Sequence, residues 1–282
     1  TPIMVSYHGW MESNIKGGIA RLTSILSRYT EVWVANSEES RQDLSQLVDP
    51  RQILVSEHYA GQEFFDTEAP TFVVEGLAPP DAYLVLYAGR IDKEKNADTL
   101  LDSIPEILQL NRNVVFAFCG EGELGPRVKE LEEIYPSKVR HLGYVSDKSD
   151  LAALFRRADV VWSYGDEHYL ARPAVEALAS GRPIIITDQP AVTAKKGVQY
   201  RITHSLFPDT VGAIVKTGSI PETVALILSL LDAPDRFDSN FIRDYARDRY
   251  SPRNLDIIID LVRAYAERDE RQVKAMLTAG NR

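Results

Sequence analysis

Short apolar runs alternate with amphipathic stretches through the middle of the chain, from about residue 81 to residue 190. Nearly continuous apolar runs of this length predict strands that are buried on both faces. Between them, leucine and isoleucine recur at helical spacing, which predicts helices. The alternation therefore predicts a doubly wound α/β domain, a parallel sheet with helices on both faces. The predicted strands are 83–87, 114–118, 139–142, 160–162 and 183–186.

The two ends of the chain show shorter forms of the same pattern. The front predicts strands over 3–7, 32–34 and 53–55, a helix over 19–26, and a second helix capped by Ser37. Past the middle, the pattern predicts a strand over 212–215, helices over 224–231 and 255–265, and a charged tail from Glu267 that frays.

A Gly-, Glu- and Pro-containing stretch that ends in Pro79 and Pro80 is typical of a linker. It separates a short front segment with the same strand–helix pattern from a complete α/β domain. The predicted limits are 1–66 for the front segment, 67–80 for the linker, 81–250 for the complete domain, and 251–282 for a helix and tail.

Composition excludes several classes of function. The 282 residues carry 32 Lys and Arg against 41 Asp and Glu, a net charge of −9, which argues against a general nucleic-acid binder. The single cysteine, Cys119, excludes an internal disulfide framework and a Cys-rich zinc site. The five histidines show neither HxxxH nor HExxH spacing, so we predict no metal site.

Candidate binding residues follow the first two strands of the complete domain, where ligands of such folds bind. Gly89 and Arg90 end one strand, and Lys95 stands near the start of the next helix, which together suit a diphosphate. An ordinary turn with solvated charges accounts for them equally well. Gly120 and Gly122 let the backbone pass close to a ligand, although a plain tight turn also requires glycine.

Three further side chains carry chemistry. Glu176 falls in the predicted first turn of a helix that starts at Pro173. There it acts either as a partner of the helix dipole or as an acceptor for two ribose hydroxyls. His8 and His168 each follow an apolar segment at a predicted strand end or active-edge loop, where a structural role is the alternative.

The order and spacing of short motifs over residues 32–250 resemble the retaining glycosyltransferases of the GT-B fold, family 4 (glycosyl transferases group 1). The motifs that carry the resemblance are Val34-Ala35-Asn36-Ser37-Glu38, Tyr87-Ala88-Gly89-Arg90 with Glu94-Lys95-Asn96, Cys119-Gly120-Glu121-Gly122, His141-Leu142-Gly143-Tyr144-Val145, Arg157-Ala158-Asp159-Val160, and residues 173–183.

The resemblance implies transfer of a hexosyl group from a UDP- or GDP-sugar, with retention of anomeric configuration and without a metal or cofactor. Residues 81–250 then bind the donor. Residues 1–66 are then a partial Rossmann-like domain, the end of a truncated acceptor-side domain to which the helix over 251–282 returns. The implied acceptor is a glycan or a lipid-linked sugar. The implied location is the cytoplasm or the inner face of its membrane, with membrane contact through the missing part of the front domain.

The resemblance also implies roles for the candidate residues. Arg90 and Lys95 hold the diphosphate, Gly89, Gly120 and Gly122 allow close approach, and Glu176 binds the ribose hydroxyls. The remaining implied contacts are the backbone of Tyr144 and Val145 at the base and His8 near the donor sugar.

The sequence departs from the family pattern around its paired glutamates. His168 stands where the first glutamate is expected, Glu167 is one residue out of register, and either can replace it. Leu170 and Ala171 stand in place of a glycine-containing segment whose amides lie near the phosphates. A non-catalytic GT-B-like binding or scaffold subunit is therefore the alternative function, and a sugar-nucleotide epimerase is a lower-ranked third.

Overall fold

The computed structural model describes residues 4–7, 25–67, 76–110, 113–164, 170–188, 207–267 and 270–279. The chain forms two compact units. One comprises residues 1–59 and 252–282, and the other comprises residues 60–251. Within the described ranges, every helix is too short or too polar to span a lipid bilayer.

Parallel strands and helices make up both units. The strands are β1 Met4–Tyr7, β2 Val32–Ala35, β3 Ile53–Val55, β4 Tyr83–Ala88, β5 Val114–Cys119, β6 Val139–Gly143, β7 Val160–Tyr164, β8 Ile184–Asp188 and β9 Gly212–Lys216. The helices are α1 Glu38–Ser45, α2 Gln62–Phe65, α3 Ala97–Gln109, α4 Gly125–Ile134, α5 Lys148–Arg157, α6 Arg172–Ala179, α7 Ile220–Asp232, α8 Ser239–Tyr250, α9 Arg253–Ala266 and α10 Glu270–Ala279. Short 3-10 turns cover Pro50–Gln52, Lys93–Lys95 and Pro234–Arg236.

The larger unit is built on a six-stranded parallel sheet in the order β6-β5-β4-β7-β8-β9. Alternate residues of β4 enter two separate cores. Leu84 and Leu86 pack with α5 and α6, whereas Val85 and Tyr87 pack with α3, α4 and α7. Helices therefore cover both faces, which confirms the predicted doubly wound α/β fold. The strand order reverses between β4 and β7, the point at which such sheets open a ligand crevice.

The larger unit starts at Ala60, earlier than the limit of 81 that the sequence suggested. The Ala60 amide donates to the Tyr250 carbonyl at 2.9 Å, and both residues are buried. On α2, Phe64 packs edge-on against Phe155 of α5, with ring centroids 5.8 Å apart. Residues 68–75 of the predicted linker lie outside the described ranges.

The smaller unit has a three-stranded parallel sheet in the order β1-β2-β3. The Ser37 side chain caps α1, as predicted, by accepting from the Ser40 amide at 3.0 Å. On the face of the sheet opposite α1, Val32 and Val34 of β2 pack with Leu261 of α9. The helix predicted over 19–26 falls almost wholly outside the described ranges.

The prediction of a fraying tail from Glu267 is wrong for residues 270–279, which form α10. Val273 and Met276 are three positions apart and so lie on one face of that helix. Both pack against the apolar cluster of β2 and α9. The many charged residues of this segment made its two partly buried apolar positions, Val273 and Met276, hard to recognise in the sequence.

Candidate active site

Two glycine turns meet at the carboxyl ends of β4 and β5. Gly89 and Gly120 have φ of +136° and +144°, a region that side chains disfavour. The Gly89 amide donates to the Cys119 carbonyl at 3.0 Å, and the Gly120 amide donates to the Gly143 carbonyl at 2.8 Å. A Cβ on Gly120 would lie 1.9 Å from the Gly89 carbonyl oxygen, so no larger residue fits there.

Gly122 is held by the same packing of loops. A Cβ at this position would lie 2.3 Å from the Ile91 carbonyl oxygen. The Ile91 amide in turn donates to the Glu121 carbonyl at 3.0 Å. Contact between the two loops thus accounts for Gly120 and Gly122 as tight-turn residues, and their approach to a donor stays a prediction.

Lys95 lies at the reversal point of the sheet. Its Nζ is 3.9 Å from the ring centroid of Tyr164, the last residue of β7, in cation–π geometry. The Asp92 carboxylate caps the turn by accepting from the Lys95 amide at 2.9 Å. Asn96 then adopts the left-handed conformation (φ 53°), and its Nδ2 donates to Thr187 Oγ1 at 2.9 Å. The turn therefore holds the Lys95 ammonium at the crevice between β4 and β7.

The Arg90 guanidinium forms ion pairs with two neighbouring carboxylates. Its Nε lies 3.2 Å from the Asp92 carboxylate and its Nη2 lies 2.9 Å from that of Glu94, while 62% of its side chain is exposed. The hydrogen bond with Glu94 raises the pKa of Arg90, so the group stays charged. Water screens an exposed ion pair of this kind, so a diphosphate can compete for the guanidinium.

Glu176 is the fifth residue of α6, so its predicted place in the first turn is wrong. The helix starts at Arg172, one residue before Pro173, and no acidic residue stands in its first turn. Burial raises the pKa of Glu176 to about 7, against the opposing effects of Arg172 and Lys148. The carboxyl group is therefore about half ionised at neutral pH, which is typical of a functional carboxylate.

The end of β5 and the loop after β6 meet near Glu176. Burial raises the pKa of Cys119 to about 11; a hydrogen bond from the Val145 backbone opposes the shift, and the charge of Glu176 adds to it. Cys119 thus stays a neutral thiol. Tyr144 is 77% exposed and precedes Val145 in this loop. The predicted base and ribose contacts therefore lie in one neighbourhood.

The remaining predicted residues divide into two groups. Leu170 and Ala171 are buried, and Ala171 precedes the first residue of α6 without a side-chain cap. His8, Glu167 and His168 lie outside the described residues. Within the described ranges, no group of three or more His, Cys, Asp or Glu side chains is placed to hold a metal ion.

Sequence reasoning gave no role to four residues at or near this edge: Tyr164, Thr187, Lys148 and Glu63. Tyr164 and Thr187 come shortly after two of the predicted strands. The sequence does not indicate that Tyr164 meets Lys95 or that Thr187 meets Asn96. No sequence signal links Lys148 or Glu63 to Glu176, because their electrostatic effect on it depends on how three helices pack.

The family model of glycosyl transferases group 1 matches residues 82–232, just over half of the chain. The chain belongs to this family. The resemblance of the motifs to glycosyl transferases group 1 is therefore confirmed.

Curated relatives match part of the chain. A GDP-mannose-dependent alpha-(1-6)-phosphatidylinositol dimannoside mannosyltransferase of Mycobacterium tuberculosis is 28% identical over 116 residues, 41% of this chain and 30% of that protein. Spore coat protein SA of Bacillus subtilis is 31% identical over 114 residues, 38% of this chain and 30% of that protein. The matched segment thus spans about a third of the length of these relatives.

Solved structures match most of the chain. Anabaena HepE, crystallised with UDP and glucose, gives a TM-score of 0.67 at 17% identity over 94% of this chain and 71% of that one. Sucrose-phosphate synthase of Thermosynechococcus elongatus gives 0.69 at 17% identity over 94% and 68%. At such identities the likeness shows the fold, and it confirms the predicted GT-B-like α/β architecture.

Proposed function

We propose that this chain carries the donor-binding part of a retaining glycosyltransferase, which moves a hexosyl group from a UDP- or GDP-sugar to a glycan or lipid-linked acceptor. Membership of the family supports transfer from a nucleotide sugar. The observation that carries the proposal is the presence of two groups near one edge of the sheet. These are the Lys95 ammonium beside Tyr164 and the Glu176 carboxyl group near the end of β5.

Each group suits one part of a nucleotide sugar. Departure of the diphosphate from the anomeric carbon leaves negative charge on its oxygens, and a fixed cation stabilises that charge as it develops. Lys95 is the cation at the crevice, and Arg90 can add a second charge. An ionised Glu176 can accept hydrogen bonds from both ribose hydroxyls at once. These two contacts fix the donor at its diphosphate and its ribose.

Retention is the finer part of the proposal. In a front-face reaction, the acceptor oxygen bonds to the anomeric carbon on the side from which the diphosphate leaves. A leaving phosphate oxygen takes the acceptor proton. This route needs no pair of carboxylates about 5 Å apart, unlike a retaining glycosidase. Because protein cations balance the leaving group, we also propose that the reaction requires no metal.

The proposal keeps both uracil and guanine as the base of the donor nucleotide, because similar proteins differ in the nucleotide sugar named with them. The mycobacterial relative is named as GDP-mannose-dependent, whereas Anabaena HepE was also crystallised with UDP-glucose. Calorimetry with UDP-glucose and GDP-mannose tests the two directly. We expect one of them to bind, with at least tenfold loss of affinity in Lys95→Ala and Glu176→Ala.

The matched control removes a cation elsewhere: Lys129→Ala changes an exposed lysine on α4 and should leave affinity unchanged. Failure of the wild-type chain to bind either sugar nucleotide would contradict the proposal. Binding without transfer or donor hydrolysis, in the presence of suitable acceptors, would instead favour the non-catalytic subunit. Where transfer occurs, the anomeric configuration of the product by NMR decides between retention and inversion.

A further inference from the structure

Three charged side chains lie on three helices of the larger unit that pack against one another. Glu63 lies on α2, Lys148 is the first residue of α5, and Glu176 lies on α6. The Lys148 Nζ is 3.5 Å from Glu63 Oε1. Since α2 and α5 both pack against α6, this ion pair lies beside the helix that carries Glu176.

Gly61 leaves room for the Glu63 carboxylate beside its own turn. A Cβ on Gly61 would lie 2.4 Å from Glu63 Oε1, so the absent side chain of Gly61 gives the carboxylate its space. Glu63 Oε1 is buried and accepts no hydrogen bond within the described part of the chain. The Lys148 ammonium, 3.5 Å away, is the charged partner of this buried oxygen.

The charged or titratable groups that interact with Glu176 lie on four elements. Arg172 lies on its own helix, Lys148 on α5, Glu63 on α2 and Cys119 on β5. Arg172 and Lys148 favour the ionised carboxylate, and Glu63 disfavours it. Cys119 contributes no charge near neutral pH, because burial raises its pKa to about 11.

We propose that Lys148 and Glu63 are positioning residues of the donor site, where Lys148 keeps Glu176 in the ionised form that accepts both ribose hydroxyls and Glu63 restrains Lys148. The inference rests on the proposed function, in which Glu176 binds the ribose. A protonated Glu176 carries one O–H donor, so it cannot accept from both hydroxyls with the same strength. Donor affinity should therefore follow the ionisation of Glu176.

The two residues then act with opposite sign, and this distinguishes them from structural residues. Loss of the Lys148 charge favours protonated Glu176, so donor affinity should fall at a higher pH than in the wild type. Loss of the Glu63 charge favours ionised Glu176 and also frees Lys148 to approach it. Affinity should then persist to lower pH.

The test measures affinity for UDP-glucose and GDP-mannose by calorimetry from pH 5.5 to 8.5, in the wild type, Lys148→Met and Glu63→Gln. The bridging diphosphate of these ligands keeps its charge across that range. We expect the pH midpoint of binding to move by about half a unit, upward in Lys148→Met and downward in Glu63→Gln. At pH 6 this corresponds to about a threefold change in affinity, in opposite directions.

Two control variants accompany these. Lys148→Arg keeps the positive charge and should restore the wild-type midpoint. Lys129→Met removes an exposed charge on α4 and should leave the midpoint unmoved. A ¹³C titration of the Glu176 carboxyl group without ligand should show the same opposite shifts, and it gives an answer even where a variant binds weakly.

Several results would overturn the inference. Equal loss of affinity at every pH in Lys148→Met would mean that Lys148 contacts the ligand directly. Unmoved midpoints in both variants, with sugar nucleotide still bound, would refute this inference and leave the proposed function standing. A wild-type chain that binds neither ligand would refute the proposed function itself, and this inference with it.

Discussion

Replacing Glu176 with glutamine should stabilise the protein at pH 8 and have little effect at pH 5, while it removes nucleotide binding. Burial raises the pKa of Glu176 from an ordinary value of 4.5 to about 7. The folded state therefore holds a proton that the unfolded state releases between these values. Because the folded state binds more protons there, stability falls as pH rises from about 4.5 to 7.

The size of this effect follows from the two pKa values. At pH 8, above the folded-state pKa of about 7, ionisation of Glu176 disfavours folding by about 3 kcal/mol. At pH 5, close to the ordinary pKa, the corresponding cost is about 1 kcal/mol. Glutamine has no ionised form, so Glu176→Gln should gain about 2–3 kcal/mol more at pH 8 than at pH 5.

Thermal unfolding of the wild type and Glu176→Gln at both pH values measures this difference. Comparison at each pH cancels the titration of other groups, which the two proteins share. For a unit of this size, the gain corresponds to a Tm difference about 5–10 °C larger at pH 8 than at pH 5. The measured quantity is the Tm of Glu176→Gln minus the Tm of the wild type. If this difference is equal at the two pH values, or smaller at pH 8 than at pH 5, the reasoning is refuted.

Three other changes have equally definite outcomes. Tyr164→Leu removes the cation–π partner of Lys95, worth about 0.5–1 kcal/mol, and should weaken sugar-nucleotide binding two- to fivefold by calorimetry, whereas Tyr164→Phe should bind as the wild type does. Gly120→Ala should prevent stable folding, because the added Cβ would overlap the Gly89 carbonyl oxygen. The control Gly218→Ala also has positive φ but meets no neighbouring atom, so its free energy of unfolding in urea should fall by only about 1 kcal/mol. Val273→Asp should destabilise the smaller unit by about 1–2 kcal/mol, seen as an earlier urea transition, and normal stability of this variant would contradict the packing of α10.

The larger sheet could be predicted from sequence because its strands are buried on both faces. Every residue of β4 and β5 is buried, so each strand reads as a continuous apolar run with a clear start and end. The order of the strands is less accessible to sequence reasoning. Pairing of β4 with β7 brings Tyr164 to Lys95, and no local pattern indicates which strands become neighbours.

Helix starts and charged surfaces were the harder features to predict. Pro173 suits a helix start, but the helix begins at Arg172, because proline is tolerated anywhere in the first turn. The apolar stripe of α10 was missed because two residues, Val273 and Met276, carry it between charged neighbours. The pKa of Glu176 could not be predicted at all, since it depends on its depth in a packed unit and on side chains from other helices.

The residues of this edge differ in what folding alone requires of them. A side chain at Gly120 or Gly122 would clash with the backbone of the neighbouring loop, so folding alone requires glycine at both positions. Their presence therefore gives little information about a ligand. Glu176 and Glu63 are the opposite case. One is a carboxylate that folding disfavours at neutral pH, and the other has a buried oxygen without a hydrogen bond in the described structure. Glu63 also pairs with Lys148, whereas burial alone disfavours the charge of Glu176. Glu176, with Lys95, is therefore the better marker of the proposed donor site.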